Sequence, residues 1–226
     1  MEYCIKHDPV FSVLEFTLQE SEVVLAQPNS MLSMTGGIRL TAAIGRRGGV
    51  WSGVKGMLGG ENFFTAEFSA IKPNQTLVLA PNSLGDILPL HLNDQEGFYL
   101  TRGAYLANFG NCELRIKYGG VKGIMSKKGL FLLHASGQGT VFCQCYGAIM
   151  SYHLEEGEKV FIDNRYVVAF SHAVKYELVK ATTSVKDSVF SGEGLVNRYT
   201  GPGKVYYQTR GKPSAGLLTA LADAAF

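Results

Sequence analysis

Long apolar runs are missing from this 226-residue chain. None approaches the ~20 apolar residues of a membrane-spanning helix. The opening Met1-Glu2-Tyr3-Cys4-Ile5-Lys6-His7-Asp8 lacks the basic start and apolar centre of a signal peptide. The expectation is a cytoplasmic protein with no transmembrane segment. Cysteine is scarce as well. Cys4, Cys112, Cys143 and Cys145 form no CxxC pair, which argues for free, buried thiols in a reducing compartment rather than a zinc site or a disulfide framework. The five histidines are dispersed without HxH or HExxH, and that removes the usual metal signatures. Phosphate loops fail too. Gly203-Lys204 would need a glycine where Arg198 stands to complete GxxxxGK, and no GxGxxG lies between a strand and a helix. There is no GxSxG elbow, and His134 and Ser136 share a strand face without forming a triad. No catalytic residue, metal or cofactor is expected from these patterns.

Charge is sparse, at 18% of residues, with a net charge of +2 and a pI near 8.3, too mild to announce nucleic acid by itself. What is abundant is glycine, at 27 residues against a usual ~7% of a chain, together with 13 Phe and 11 Tyr. That mixture describes many short strands joined by tight turns. Apolar segments of strand length fall at Tyr3–Lys6, Phe11–Gln19, Val23–Ala26, Met31–Met34, Ile38–Thr41, Phe63–Ser69, Thr76–Ala80 and Asp86–Leu92. They continue at Phe98–Ala107, Leu130–Ala135, Thr140–Tyr146, Val160–Phe170, Lys175–Val179, Leu195–Tyr199 and Lys204–Thr209. Breaks are expected at Phe109-Gly110-Asn111, Ser136-Gly137-Gln138-Gly139 and Gly201-Pro202-Gly203. Only Pro213–Phe226 reads as helix, with Leu217, Leu218, Leu221 and Phe226 on one side.

The chain also echoes itself. Val54-Lys55-Gly56-Met57-Leu58 returns as Val121-Lys122-Gly123-Ile124-Met125 and, more faintly, as Val185-Lys186-Asp187-Ser188-Val189, each followed by an apolar pair. The reading is an all-β chain of 1–226 forming one compact unit. Within it stand three pseudo-symmetric repeats of a small double-stranded β-helix or sandwich unit, at about 20–97, 98–157 and 158–212, then a short C-terminal helix at about 213–226.

The Gly-Gly-x-x-Ser-Gly-x-Lys-Gly run at Gly48–Gly56, the following Glu61-Asn62-Phe63-Phe64, and Leu79-Ala80-Pro81-Asn82 before Gly85-Asp86-Ile87 resemble an uncharacterised bacterial family. That family is related to the altered-inheritance-of-mitochondria proteins, and the likeness covers nearly the whole chain. The resemblance implies three copies of a short β-helical unit similar to the subunit of TRAP, the tryptophan RNA-binding attenuation protein. It implies no catalytic residues, and no TRAP ligand motif can be matched onto this sequence, so RNA binding is not carried over with the fold.

Charge order is the remaining signal. No acid occurs between Glu22 and Glu61, where Arg39, Arg46, Arg47 and Lys55 stand, nor between Glu113 and Glu155, where Arg115, Lys117, Lys122, Lys127 and Lys128 stand. Nor does one occur between Glu193 and Asp223, a stretch holding Arg198, Lys204, Arg210 and Lys212. Three related stretches could gather this charge on one side and attract nucleic acid or another anionic surface, although a solvated basic face needs no ligand. His91 and His153 hold similar places before acidic turns and are candidates for a pocket between repeats, with structural strand-end histidines the plainer account. The leading functional reading is a non-enzymatic scaffold or binding protein that self-associates or joins a protein partner. The alternatives are nucleic-acid or anionic-surface binding through the basic faces, and a small-ligand binder or enzyme using a pocket between repeats.

Overall fold

A computed structural model describes residues 1–44, 64–119, 130–180 and 195–211. Outside them fall most of the glycine-rich stretch and its two echoes, the candidate bases Arg46, Arg47, Lys55, Lys122, Lys127 and Lys128, and the expected C-terminal helix. The described residues are all-β. Alternation makes the strands: in β2 (Val13–Leu18), which pairs with β1 (Glu2–Lys6), Leu14, Phe16 and Leu18 are fully buried while Val13, Glu15 and Thr17 point the other way.

The chain continues through β3 (Val23–Ala26), β4 (Met31–Met34), β5 (Ile38–Ile44), β6 (Phe64–Ala70), β7 (Gln75–Leu79), β8 (Ile87–Leu92) and β9 (Phe98–Thr101). Two fifteen-residue strands follow, β10 (Tyr105–Gly119) and β11 (Leu130–Gln144). Then come β12 (Ile149–Leu154), β13 (Lys159–Ile162), β14 (Val167–Ser171), β15 (Lys175–Lys180), β16 (Leu195–Thr200) and β17 (Gly203–Gln208). Every ladder between these strands is antiparallel, in three sheets: β1-β2-β7-β4, β13-β16-β15, and a ten-stranded sheet running β12-β17-β14-β9-β11-β10-β3-β6-β5 with β8 also on β11.

Two expected breaks are absent. Phe109-Gly110-Asn111 lies inside β10 and Ser136-Gly137-Gln138-Gly139 inside β11, and they face each other, Gly110 opposite Gly139 and Cys112 opposite Gly137. Glycine is required here by close approach. A Cβ on Gly137, whose φ is +99°, would stand 2.3 Å from Asn111 O, and one on Gly139 2.3 Å from Phe109 O.

Three strand pairs share one construction. In β4–β7 the register steps from Met31 opposite Leu79 to Ser33 opposite Val78, so that Leu32 is bulged out. In β10–β11 it steps from Tyr105 opposite Cys143 to Ala107 opposite Phe142, bulging Leu106. In β14–β17 it steps from Val167 opposite Tyr207 to Ala169 opposite Tyr206, bulging Val168. One backbone bond recurs at the mouth of each: Ala80 N–H to Ser30 O (2.8 Å), Gln144 N–H to Ala104 O (2.7 Å) and Gln208 N–H to Tyr166 O (2.8 Å). Neighbouring pairs are joined by strands, β3 to β10 and β9 to β14. Two buried glutamines bridge them further. Gln144 accepts from Asn82 N–H (2.8 Å) and donates to Gln27 Oε1 (2.7 Å), while Gln208 accepts from Tyr146 N–H (2.9 Å) and donates to Arg165 O (2.9 Å).

Three apolar cores result. The first holds Leu14, Phe16, Val24, Phe68, Leu77 and Phe142, with Tyr3 edge-on to Phe142 at 4.8 Å. The second surrounds Leu90, Leu100, Leu133, Val141 and Val168, and the third Leu132, Ile162, Phe170, Tyr199 and Val205.

Gly137→Ala is expected to lower stability by about 2 kcal/mol or more, since an L side chain must occupy positive φ against a backbone carbonyl. Gly36→Ala, whose Cβ would meet nothing within 4 Å, should change it by less than about 0.5 kcal/mol. Chemical-denaturation midpoints of the two variants check both figures, and equal midpoints would remove the glycine constraint.

Candidate functional site

The expected bases within the described residues are distributed over several strands. Arg39 is exposed on β5, Lys204 on β17 and Arg210 just beyond it, where Arg210 Nη1 donates to Thr209 O (3.0 Å). Arg198, on β16, is held by Glu177 of the adjacent β15, its Nε donating to Oε2 at 3.1 Å. This lowers the Glu177 carboxyl below its ordinary range. A stretch without acids along the chain is therefore not without acids in space. His91 is exposed on β8 with Nδ1 3.1 Å from Thr140 Oγ1, and His153 is exposed on the outermost strand β12, opposite Lys204. In the sheet order β17, β14, β9 and β11 lie between the strands that carry them.

Arg115 and Lys117 are brought into a defined setting. Two residues apart on β10, both exposed, they share a face of the sheet. The registers place Arg115 opposite His134 of β11, His134 opposite Tyr99 of β9, and Tyr99 opposite Phe170 of β14. Directly opposed residues lie on one face, so Phe170, Tyr99, His134 and Arg115 form a row running from the third core to solvent. Ring centroids are 5.4 Å apart for Phe170–Tyr99 and 4.9 Å for Tyr99–His134. Arg115 Nη2 also meets Glu113 at 2.7 Å, an exposed pair worth little.

His172, in the turn after β14, joins this row through Gly97. Its Nδ1 accepts from Gly97 N–H at 2.9 Å, which in the neutral ring leaves the proton on Nε2. A Cβ on Gly97 would stand 3.1 Å from His172 Nδ1 and 3.4 Å from His134 Nε2, so the two imidazoles flank that glycine. His134 is half-buried, and its pKa is lowered first by burial, then by Lys117, His172 and Arg115. The setting favours negative charge and disfavours another cation.

Nucleophilic chemistry has little support nearby. Burial pushes the Cys112 and Cys145 thiols up to about 11 and the Cys143 thiol higher still, so all three are protonated at neutral pH. Among the described residues no group of three or more His, Cys, Asp or Glu could hold a metal ion. The sequence does not group His134, His172 and Tyr99. His134 interrupts an apolar strand whereas His172 lies in a turn, so no pattern in the sequence marks them as a group, and the register that assembles them is not visible there.

Residues 3–210 match the family model described as mitochondrial biogenesis AIM24, a span from β1 to the residues just after β17. An uncharacterised protein of Streptococcus pyogenes is 27% identical over 216 residues, covering 92% of this chain and 86% of its own. A structural-genomics crystal structure of a Streptococcus pyogenes protein has the same fold. It matches with a TM-score of 0.74 at 27% identity, over 99% of this chain and 97% of that one.

His134 should titrate below 6.5, the ordinary value for a histidine. Its folded pKa is depressed, so its contribution to stability is complete above about 6.5 and is lost as pH falls through the folded value. Arg115→Gln with Lys117→Gln removes two of the cations that depress it and should move the titration upward. Following the imidazole proton resonances against pH in both proteins checks this; an unmoved midpoint would take the two bases out of His134's surroundings.

Proposed function

The chain belongs to the mitochondrial biogenesis AIM24 family, and we propose that it is a non-enzymatic binding scaffold made of three joined β units. The observation that carries this reading is the recurrence of one bulged strand pair in β4–β7, β10–β11 and β14–β17, each with the same mouth hydrogen bond. A frame built this way invests its sequence in holding strands at fixed positions. The described residues set no activated nucleophile beside a base, and the buried thiols are inert. Three units of this kind are compatible with the TRAP-like plan that the family resemblance implies. Four free cysteines, two of them buried, favour a reducing, cytoplasmic setting. In this reading the scaffold works in an assembly with its own copies or with a protein partner.

A specific observation favours an anionic partner at one place. Arg115 and Lys117 stand in the open beside His134, an imidazole kept neutral by burial and by nearby cations. A polyanion laid along distal β10 would meet both bases.

Two measurements test these readings. Incubating the purified protein with a soluble metabolite extract should leave every metabolite at its starting level by mass spectrometry; a compound consumed in proportion to added protein would make the protein an enzyme. On a heparin column at low ionic strength the protein should be retained, and the Arg115→Gln, Lys117→Gln double variant should elute earlier. With a single-stranded RNA ligand, loss of two phosphate contacts lowers the log–log salt slope by about 1.4. No retention at low salt would end the anionic reading and leave the scaffold reading in place.

A further inference from the structure

The two junctions inside the chain are made in the same register. At the first, Ala26 and Leu25 of β3 stand opposite Ala107 and Asn108 of β10, and the bulged Leu106 is fully buried in the first core. Gln27 N–H also donates to Leu106 O at 2.7 Å. At the second, Leu100 and Tyr99 of β9 stand opposite Ala169 and Phe170 of β14, and the bulged Val168 is buried in the second core. Thr101 Oγ1 donates to Val167 O at 2.8 Å. Each junction therefore needs a bulged strand on one side and a strand of the β3 or β9 kind on the other.

One half of each kind is left over. β4 has the same bulge, yet it is the outermost strand of its sheet and all four of its residues are exposed: Met31 42%, Leu32 60%, Met34 38%, and Ser33 with them. β13 is the counterpart of β3 and β9. Its Ile162 faces Asn197 of β16, as Ala26 faces Ala66 of β6 and Leu100 faces Leu133 of β11. β13 too is outermost in its sheet, with Phe161 58% exposed. Among the described residues neither edge has a partner strand, and β4 and β13 of one chain do not pair with each other. Open apolar edges of this kind are templates for pairing.

We infer that these edges join two copies of this chain, β13 of one pairing antiparallel with β4 of the next. Ile162 stands opposite Ser33 and Phe161 opposite Met34, and Leu32 enters the neighbour's third core as Leu106 and Val168 enter the first and second. The occupant is a second copy because the chain already makes this contact twice with its own strands. The two surfaces differ, so the contact is head-to-tail and each copy keeps one edge of each kind for the next. Ala80 stands where Gln144 and Gln208 supply bridging amides, so this junction lacks that bridge and forms in a concentration-dependent way. The inference rests on the scaffold reading and names its partner.

Sedimentation velocity from about 1 to about 100 μM tests it, with Leu32→Lys and Phe161→Lys, both at exposed positions. The wild type should rise in mass with concentration, to at least that of a two-chain species. Each variant alone should stay a single chain, and the two mixed should form a one-to-one dimer, because Leu32→Lys keeps an intact β13 and Phe161→Lys an intact β4. A wild type that stays single over the whole range overturns the inference. So do variants that assemble unchanged, or a mixture in which no dimer forms. Single-chain behaviour leaves the scaffold reading intact, whereas metabolite consumption would overturn that reading whatever the mass.

Discussion

The β10–β11 ladder is the constraint on which the rest of the molecule depends. Among the described residues it alone contributes side chains to all three cores. Leu133, Ala135, Val141 and Cys143 point from one face of β11 into the second core, while the other face sends Leu132 into the third core and Phe142 into the first. The change of core on that second face falls between Leu132 and Phe142, where Gly137 and Gly139 lie against Asn111 and Phe109 with no room for a Cβ. A strand of ordinary residues could alternate between two cores. Serving three requires the ladder to turn at its middle, and the paired glycines allow the two backbones to approach closely enough for that.

This explains both what could be read from the sequence and what could not. Val23–Ala26 and Met31–Met34 matched their strands because short alternating segments between turn residues carry their own boundaries. The glycine breaks in β10 and β11 were read as turns because local preference for Gly and Ser points that way, and the ladder that overrides it joins residues far apart in sequence. The site disappeared along with that ladder. Arg115 acquires His134, and His134 acquires Tyr99, only when β10, β11 and β9 are set in register. Counting acids along the chain failed at Arg198 for the same reason, since its carboxylate, Glu177, arrives from another strand.

The recurrence was faint for a different reason. Leu79, Cys143 and Tyr207 are evenly spaced in the sequence, but Met31, Tyr105 and Val167, the residues opposite them, are not. A bulged pair depends on register at its mouth and is indifferent to the length of the loop that closes it. Side chains have drifted as well. Leu32, Leu106 and Val168 occupy one structural position with very different burial, because only the last two have a preceding core to enter.

That drift also bears on where binding can occur. The row that ends at Arg115 has a counterpart beside each of the other cores. In the first, Leu25 faces Glu67, which faces Thr41. In the third, Phe161 faces Arg198, which faces Glu177. Glu67, His134 and Arg198 thus hold one position in three settings: an acid beside a hydroxyl, a neutral imidazole beside a cation, and a cation neutralised by an acid. An anion approaching the first would meet a carboxylate, and at the third it would compete with an ion pair already formed. At the second, Arg115 is itself paired with Glu113, while Lys117 is exposed near the His134 ring. Among the described residues the bulged pair recurs three times, whereas the side chains at equivalent positions differ in charge, so substitution within equivalent strands, rather than symmetry, sets the electrostatics of each setting.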